Sequence, residues 1–112
     1  CRVLLMNNRL WPWLILVPQR NGAREFHDLT FGDRGVLMEE ISALSAVLAA
    51  VAKADKINGG MLGNMAPQLH IHVIARHAGD PAWPGPVWGS GRAEPYDGDQ
   101  AQALIAAVTA RL

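Results

Sequence analysis

Hydrophobic residues in the first part of the chain form two short runs, separated by polar and turn-forming residues. One run covers residues 1–6 and ends at a pair of asparagines, and the other covers residues 13–17 and ends at Pro18. Short apolar runs with such boundaries are typical of strands. We therefore predict an antiparallel hairpin with a longer connecting loop, followed by an aperiodic polar loop over residues 19–29.

A long helical pattern follows the two predicted strands. Thr30 and Asp33 have the spacing of a capping box, in which a hydroxyl and a carboxylate each bond a free amide at the start of a helix. Apolar residues then recur three or four positions apart along one stripe: Leu37, Ile41, Leu44, Leu48 and Val51. The pattern predicts one long helix that packs this stripe against a sheet.

Two further strands are predicted over residues 56–61 and 68–76, and the second is the clearest strand in the chain. Its strict alternation places Gln68, His70 and His72 on one face. The other face is wholly aliphatic: Leu69, Ile71, Val73 and Ala75. An aliphatic face anchors a strand in the core, so we expect the polar face to be held rigidly.

The remainder of the chain predicts irregular structure and then a second helix. Residues 77–96 contain repeated prolines and glycines, which disfavour regular elements. The last helix has an apolar side: Leu104, Ile105, Val108 and Leu112. This order of elements predicts one α+β domain over residues 1–112, with an antiparallel β-sheet arranged as a meander, one long helix and a C-terminal helix.

The composition is that of a folded domain with no overall charge. Half of the 112 residues are hydrophobic and 18% are charged, which excludes a disordered chain. Ten basic and ten acidic side chains cancel, so no overall field attracts nucleic acid or anionic lipid. The uninterrupted apolar runs are too short to cross a bilayer. We therefore expect neither a nucleic acid nor a membrane as partner, and any anionic ligand must be held by local donors.

The single cysteine bears on the cell compartment and on the start of the chain. Cys1 is the only cysteine, so no internal disulfide can form, which is compatible with a cytoplasmic protein. The chain also starts with Cys1 instead of Met and enters a strand pattern at once. We therefore expect that the natural protein has residues upstream of Cys1.

The feature that carries chemistry is the pair of His70 and His72, two residues apart on one strand face. The strand rise places their Cβ atoms about 6.5–7 Å apart. Such a pair can bind a metal ion, for which histidine is a common ligand. It can also act as nucleophile and proton donor, because imidazole is both nucleophilic and protonatable near neutral pH. A third possibility is a structural pair that bonds to the backbone on a half-buried face.

Neighbouring residues favour phosphate chemistry over a metal site. The other candidate metal ligands, His27, His77 and Cys1, stand at no recognised zinc spacing. The glycine-rich stretch 59–64 precedes the histidine strand and ends with Asn64. The backbone N–H groups of such a loop, together with an amide side chain, can approach phosphate oxygens. We therefore expect no metal and no cofactor.

These motifs resemble the histidine triad family, whose signature is a His-φ-His-φ-His-φ-φ strand in which φ is apolar. Residues 68–74 read Gln-Leu-His-Ile-His-Val-Ile. Residues 6–9 and 14–18 resemble the nucleotide-binding hairpin of that family. Residues 25–29, which read Glu-Phe-His-Asp-Leu, resemble its loop before the long helix, and the Trp-Pro-Gly-Pro stretch at 83–86 is similar to the segment after the triad.

The resemblance implies a homodimeric, HIT-like fold that cleaves a dinucleoside polyphosphate or a nucleoside phosphoramidate at the α-phosphorus. In such a site His70 would attack in line and form a nucleotidyl-histidine intermediate, which water then hydrolyses. His72 would hydrogen-bond the phosphate or leaving-group oxygen, and Gln68 would complete the catalytic set. The resemblance also places three asparagines at substrate contacts: Asn8, Asn58 and Asn64.

Two positions depart from the family pattern. Gln68 takes the place of the first histidine, and Trp13 stands near a strand position where members often carry another histidine. Glutamine exchanges hydrogen bonds but does not titrate, so we expect the chemistry to survive with an altered rate or leaving-group preference. Two alternatives stay open: a nucleotide-binding module of the same fold without turnover, and a metal-binding protein that uses His70 and His72.

Overall fold

Four antiparallel strands form one sheet in the computed structural model, which describes residues 1–112. The strands are β1 (Arg2–Leu5), β2 (Trp13–Val17), β3 (Lys56–Gly60) and β4 (Ile71–Arg76). The helices are α1 (Phe31–Ala52), α2 (Gly98–Thr109) and a short 3-10 helix at Phe26–Asp28. The α+β class with an antiparallel sheet, a long helix and a C-terminal helix is therefore confirmed.

The order of the strands in the sheet is β1-β2-β4-β3, which differs from the expected meander. After β2, α1 carries the chain to the far edge, where β3 forms, and β4 then enters between β2 and β3. Every residue of β4 is buried, whereas those of β3 are exposed or half-buried, so the central place goes to the more apolar strand. The meander was wrong because hydrophobic periodicity does not report which strands pair.

β4 is shorter than its sequence pattern predicts, because it begins at Ile71 instead of Gln68. The alternation itself is confirmed. Ile71 and Val73 belong to the main core on the α1 side, whereas Ile74 belongs to a smaller core on the opposite face. His70 therefore lies immediately before the strand, outside its regular ladder.

α1 begins and ends at residues whose local chemistry favours a helix terminus. The Thr30 hydroxyl accepts a hydrogen bond from the backbone N–H of Asp33 at 3.1 Å. The Asp33 carboxylate does not complete the predicted capping box, because both of its oxygens accept bonds from Arg20. The helix ends at Lys53, whose φ of 51° is left-handed. Three leucines of the predicted stripe are buried against the sheet: Leu37, Leu44 and Leu48.

By length and composition alone, α1 is also apolar enough to cross a membrane. The uninterrupted apolar runs of the sequence do not show this property, because Glu39 and Glu40 interrupt the apolar residues of the helix. The same composition is typical of a helix in the core of a soluble protein, and one side of α1 does pack on the sheet. Its outer side leaves three large apolar side chains exposed: Phe31, Val36 and Met38.

Loops, instead of a helix, cover the face of the sheet opposite α1. A small second core lies on this face: Trp11, Trp13, Ile74 and Val87. Val87 belongs to the irregular segment between β4 and α2, which the proline and glycine content predicts. This segment crosses the sheet near the two histidines and forms part of their surroundings.

Candidate active site

His70 and His72 meet on the face of the sheet opposite α1. His70 precedes β4 directly, and the two imidazole rings are edge-to-face with centroids 5.0 Å apart. His72 lies within the ladder, where Ile15 of β2 and Gly60 of β3 are its cross-strand partners. His72 is buried, whereas His70 is half-buried, so only the His70 ring is accessible from solvent.

The backbone carbonyl of Gln68 defines the tautomer of His70. His70 Nδ1 lies 2.7 Å from this carbonyl oxygen. A carbonyl oxygen only accepts hydrogen bonds, so Nδ1 must carry the proton and the neutral ring must have its lone pair at Nε2. Nε2 of His70 is therefore the ring atom that is available to act as a nucleophile.

Trp13 contacts His72 in a buried hydrogen bond. The indole Nε1 of Trp13 donates to His72 Nδ1 at 2.9 Å. Because an indole nitrogen only donates, Nδ1 must present its lone pair, and the proton of the neutral ring is then on Nε2. Burial, and to a lesser extent the nearby His70, lowers the pKa of His72 below its ordinary value.

Trp88 forms a wall of the site from the irregular segment before α2. Its ring lies edge-on to His72, with centroids 5.6 Å apart. It also packs over Gly60, where a Cβ atom would come within 3.1 Å of the indole Cη2. Glycine at position 60 therefore gives the indole room to approach. The sequence pattern does not predict this neighbour of His72, because periodicity says nothing about where an irregular segment crosses a sheet.

The side chain of Gln68 points to another part of the chain than its backbone carbonyl does. Its Nε2 donates to the backbone carbonyl of Pro18 at 3.3 Å, beyond the end of β2. The contact between Gln68 and His70 is therefore made by a main-chain atom. A catalytic part for the Gln68 side chain stays a prediction.

Asn8 is buried and joins two distant parts of the chain. Its Nδ2 donates to the carbonyl of Arg92 at 3.1 Å, and its Oδ1 accepts from the backbone N–H groups of Leu10 and Glu94. These bonds hold the C-terminal segment against the loop between β1 and β2. They account for an asparagine at this position, and its contact with a substrate stays a prediction.

Asn58 belongs to a buried polar network on β3 and β4. Its Oδ1 accepts from Arg76 Nη1 at 2.7 Å, and Arg76 also makes two bonds to the Asp80 carboxylate. Trp83 lies beneath the guanidinium, 5.5 Å from ring centroid to Cζ. The oxygen of Asn58 is thus engaged within the protein, and only its amide nitrogen is free for the predicted substrate contact.

Asn64 differs from the other two asparagines because its side chain is exposed. It lies in the loop between β3 and β4, where Met61, Leu62 and Met65 are exposed as well. An exposed amide in a glycine-containing loop is available to a ligand in a way that Asn8 is not. Of the three asparagines, Asn64 has the most accessible side chain, and substrate binding by it stays a prediction.

The geometry offers a nucleophile and a donor, and it gives no support to a metal site. No group of three or more His, Cys, Asp or Glu side chains is placed to hold a metal ion. His70 provides a lone pair at Nε2, and His72 provides an N–H at its own Nε2. Together they suit attack on an electrophile that carries negatively charged oxygens, such as a phosphorus atom.

Comparison with known proteins identifies the family to which these features belong. Residues 1–79 match the family described as the HIT domain. Among solved structures, the chain is similar to a histidine triad (HIT) protein from Sinorhizobium meliloti, with 49% identity and a TM-score of 0.97. That match covers 100% of this chain and 83% of the other. No curated protein matches the chain.

Two further solved structures have the same fold. A histidine triad protein from Marinobacter aquaeolei is 47% identical, with a TM-score of 0.96 over 100% of this chain and 82% of that one. A histidine triad protein from Bradyrhizobium japonicum is 44% identical, with a TM-score of 0.95 over 98% and 82% of the two chains. The HIT domain match covers residues 1–79, which is more than half of this chain. The chain therefore belongs to the histidine triad (HIT) family.

Proposed function

We propose that this protein is a nucleotide hydrolase or transferase that attacks the α-phosphorus of a nucleotide conjugate. Membership of the HIT family supports nucleotide processing. The observation that carries the proposal is the hydrogen bond between His70 Nδ1 and the carbonyl of Gln68, because it leaves the Nε2 lone pair free. A dinucleoside polyphosphate and a nucleoside phosphoramidate are the two substrate classes proposed.

In the first step, the lone pair of His70 Nε2 forms a bond to the α-phosphorus. The bond from phosphorus to the leaving group breaks, and its electron pair departs with that group. The product is a nucleotidyl-histidine intermediate, in which Nδ1–H still donates to the Gln68 carbonyl. This charge-assisted bond stabilises the positive charge that the ring gains when Nε2 is substituted.

In the second step, a water oxygen forms a bond to the same phosphorus. The phosphorus–nitrogen bond breaks, its electron pair returns to His70 Nε2, and the proton of the water passes to solvent. His72 donates a hydrogen bond from Nε2 to a phosphate oxygen in both steps. Neither step changes the proton on His70 Nδ1, which is why a fixed tautomer suits this chemistry.

The direct test is replacement of the nucleophile. His70→Ala should lower kcat by several orders of magnitude while nucleotide affinity stays within about tenfold, because a nucleophile acts mainly in the transition state. His27→Ala is the matched control, since His27 is an exposed histidine in the 3-10 helix. Acid-quenched wild-type protein should also show a mass increase of one nucleotidyl group, which the His70→Ala protein lacks.

The turnover, binding and adduct measurements on His70→Ala and the wild type distinguish the proposed enzyme from a binding module. Near-normal turnover by His70→Ala would refute the proposed nucleophile. Tight nucleotide binding with neither turnover nor a covalent adduct in the wild type would identify the protein as a binding module of the same fold. Gln68 and Trp13, which stand where the resemblance expects histidines, are the features that favour this second candidate.

We also propose that the working unit is a symmetric homodimer. The outer side of α1 exposes Phe31, Val36 and Met38, and Phe31 is 86% exposed. Exposed apolar surfaces of this kind mark contacts with partners, and most soluble homo-oligomers are symmetric dimers. Light scattering at micromolar concentration should give the mass of two chains. A wild-type mass of one chain would contradict the homodimer, and a two-chain mass that Phe31→Glu leaves unchanged would contradict its contact through the outer side of α1.

A further inference from the structure

Trp13 holds one ring nitrogen of His72 from the neighbouring strand. Its indole N–H donates to His72 Nδ1 at 2.9 Å, and the two side chains are 7% and 6% exposed. The rings are edge-to-face, with centroids 5.6 Å apart. Separating the pair would leave a buried donor and a buried acceptor without partners, which is unfavourable. We therefore expect this bond to persist when a substrate occupies the site.

The bond restricts the protonation states that His72 can adopt. An indole N–H cannot accept, so a proton on Nδ1 would place two donors face to face. The other neighbours of the ring are Ile15, Gly60, Trp88 and His70. None of these carries a carboxylate that would stabilise an imidazolium. His72 can therefore donate from Nε2, but it cannot become a cation without losing its bond to the indole.

We infer that Trp13 is a specificity-determining residue, which keeps His72 a neutral donor and directs the enzyme towards leaving groups that depart as stable anions. The inference rests on the proposed function. With a dinucleoside polyphosphate, the His70 Nε2 lone pair forms the bond to phosphorus and the phosphorus–oxygen bond breaks. The electron pair stays on the bridging oxygen, which leaves as the terminal oxygen of a nucleoside polyphosphate anion. His72 stabilises that oxygen with a hydrogen bond, and no proton is transferred.

An amine leaving group makes a different demand on the site. When the phosphorus–nitrogen bond of a phosphoramidate breaks, the nitrogen must gain a proton, because an amide anion is too basic to leave. If His72 supplied its Nε2 proton, it would become an imidazolate anion, since Trp13 cannot deliver a compensating proton to Nδ1. The site therefore favours dinucleoside polyphosphates over phosphoramidates.

The tautomer can be measured without any substrate, which separates this inference from the proposed function. Nitrogen-15 NMR of the wild type near neutral pH should show His72 protonated at Nε2 only. In Trp13→Phe, His72 should become a mixture of both tautomers and titrate at higher pH. Trp88→Phe is the matched control, because it removes a buried indole N–H that has no partner, and the tautomer should stay unchanged.

Two results of the NMR experiment would overturn the inference. One is a proton on Nδ1 of His72 in the wild type, and the other is an unchanged tautomer in a folded Trp13→Phe protein. If Trp13→Phe does not fold, benzothienylalanine at position 13 replaces it as the test. This residue keeps the shape of the indole and has sulfur in place of the N–H, so packing is preserved while the donor is lost.

Kinetics then test the leaving-group preference. The wild-type kcat/KM should be at least about tenfold higher for diadenosine triphosphate than for adenosine phosphoramidate. Trp13→His should shift that ratio about tenfold towards the phosphoramidate, because an imidazole can accept as well as donate. Preference of the wild type for the phosphoramidate, or an unchanged ratio in Trp13→His, would overturn the preference. Turnover of neither substrate would refute the proposed function and the preference together, while the tautomer result would stand alone.

Discussion

The buried ion pair of Arg76 and Asp80 holds the chain where it leaves β4, ahead of the segment that brings Trp88 to the site. Arg76 Nε and Nη2 lie 2.8 and 3.0 Å from the two carboxylate oxygens of Asp80. The two side chains are 1% and 6% exposed. The carboxylate also accepts from the backbone N–H groups of His77 and Ala82. Asp80→Asn keeps the shape of this side chain and removes its charge.

The loss of stability expected for Asp80→Asn follows from the burial of its partner, Arg76. Breaking a buried pair by removing one member typically costs about 3–5 kcal/mol, because the other charge stays uncompensated. That is a large share of the roughly 5–15 kcal/mol by which a domain is stable. At about 4 °C per kcal/mol for a chain of this length, the Tm of Asp80→Asn should fall by roughly 12–20 °C. Asn58 still contacts Arg76 at 2.7 Å, but it brings no charge.

The effect should depend on pH in a defined direction. The hydrogen bonds from Arg76, and then those from the backbone, hold the pKa of the Asp80 carboxyl well below its ordinary value, against the opposing effect of burial. The folded state therefore binds fewer protons than the unfolded state in the acid range. The stabilisation is fully present above about pH 4 and is lost as pH falls below that value. The difference in stability between wild type and Asp80→Asn should shrink accordingly.

Urea denaturation followed by tryptophan fluorescence measures these differences. Asp55→Asn is the matched control, since this exposed carboxylate accepts one backbone N–H at 2.8 Å, and it should cost less than about 1 kcal/mol. Combining Arg76→Met with Asp80→Leu removes both charges and should recover part of the stability lost in Asp80→Asn. A loss below about 1 kcal/mol in Asp80→Asn, the level of an exposed pair, would refute the reasoning.

Three further predictions concern other parts of the fold. Gly60→Ala should lower the free energy of unfolding by about 1–3 kcal/mol in chemical denaturation, because its Cβ would lie 3.1 Å from Trp88. Gly59→Ala makes only an ordinary contact and should lower it less. Thr30→Ala should lower thermal stability by about 1 kcal/mol, because α1 loses its cap, and an unchanged Tm would contradict this. The pKa of His72 should lie below about 6.5 by NMR titration, so the ring opposes protonation and stability should fall as pH drops below that value.

The elements that the sequence predicts well are those whose periodicity is strong. The aliphatic face of β4 and the leucine stripe of α1 each depend on one repeated spacing, and both are buried as predicted. The place of β4 in the sheet could not be predicted, because it depends on long-range pairing with β2 and β3. The contact between Trp13 and His72 could not be predicted for the same reason, although the sequence indicates that both residues belong to the site.

The candidate site was predictable in its residue types and less so in its contacts. The pair of His70 and His72 follows from alternation along one strand. The carbonyl that fixes the tautomer of His70 could not be predicted, because any residue at position 68 has one. Trp88 lies in a segment rich in proline and glycine, where no periodic signal reports the direction of the chain. Asn8 and Asn58 were predicted as ligand contacts, and the structure shows their bonds within the protein.

Gln68 and Trp13, the two positions where the sequence departs from the pattern that it resembles, differ in how they affect the two histidines. Position 68 contacts His70 through its backbone carbonyl, while its side chain bonds to Pro18. The orientation of His70 is therefore insensitive to which side chain stands there. Position 13 acts on His72 through its side chain, and replacing an imidazole that both donates and accepts with an indole that only donates removes a protonation state. The glutamine is thus compatible with the nucleophile that we propose at His70, and it is the tryptophan that limits the protonation states of His72.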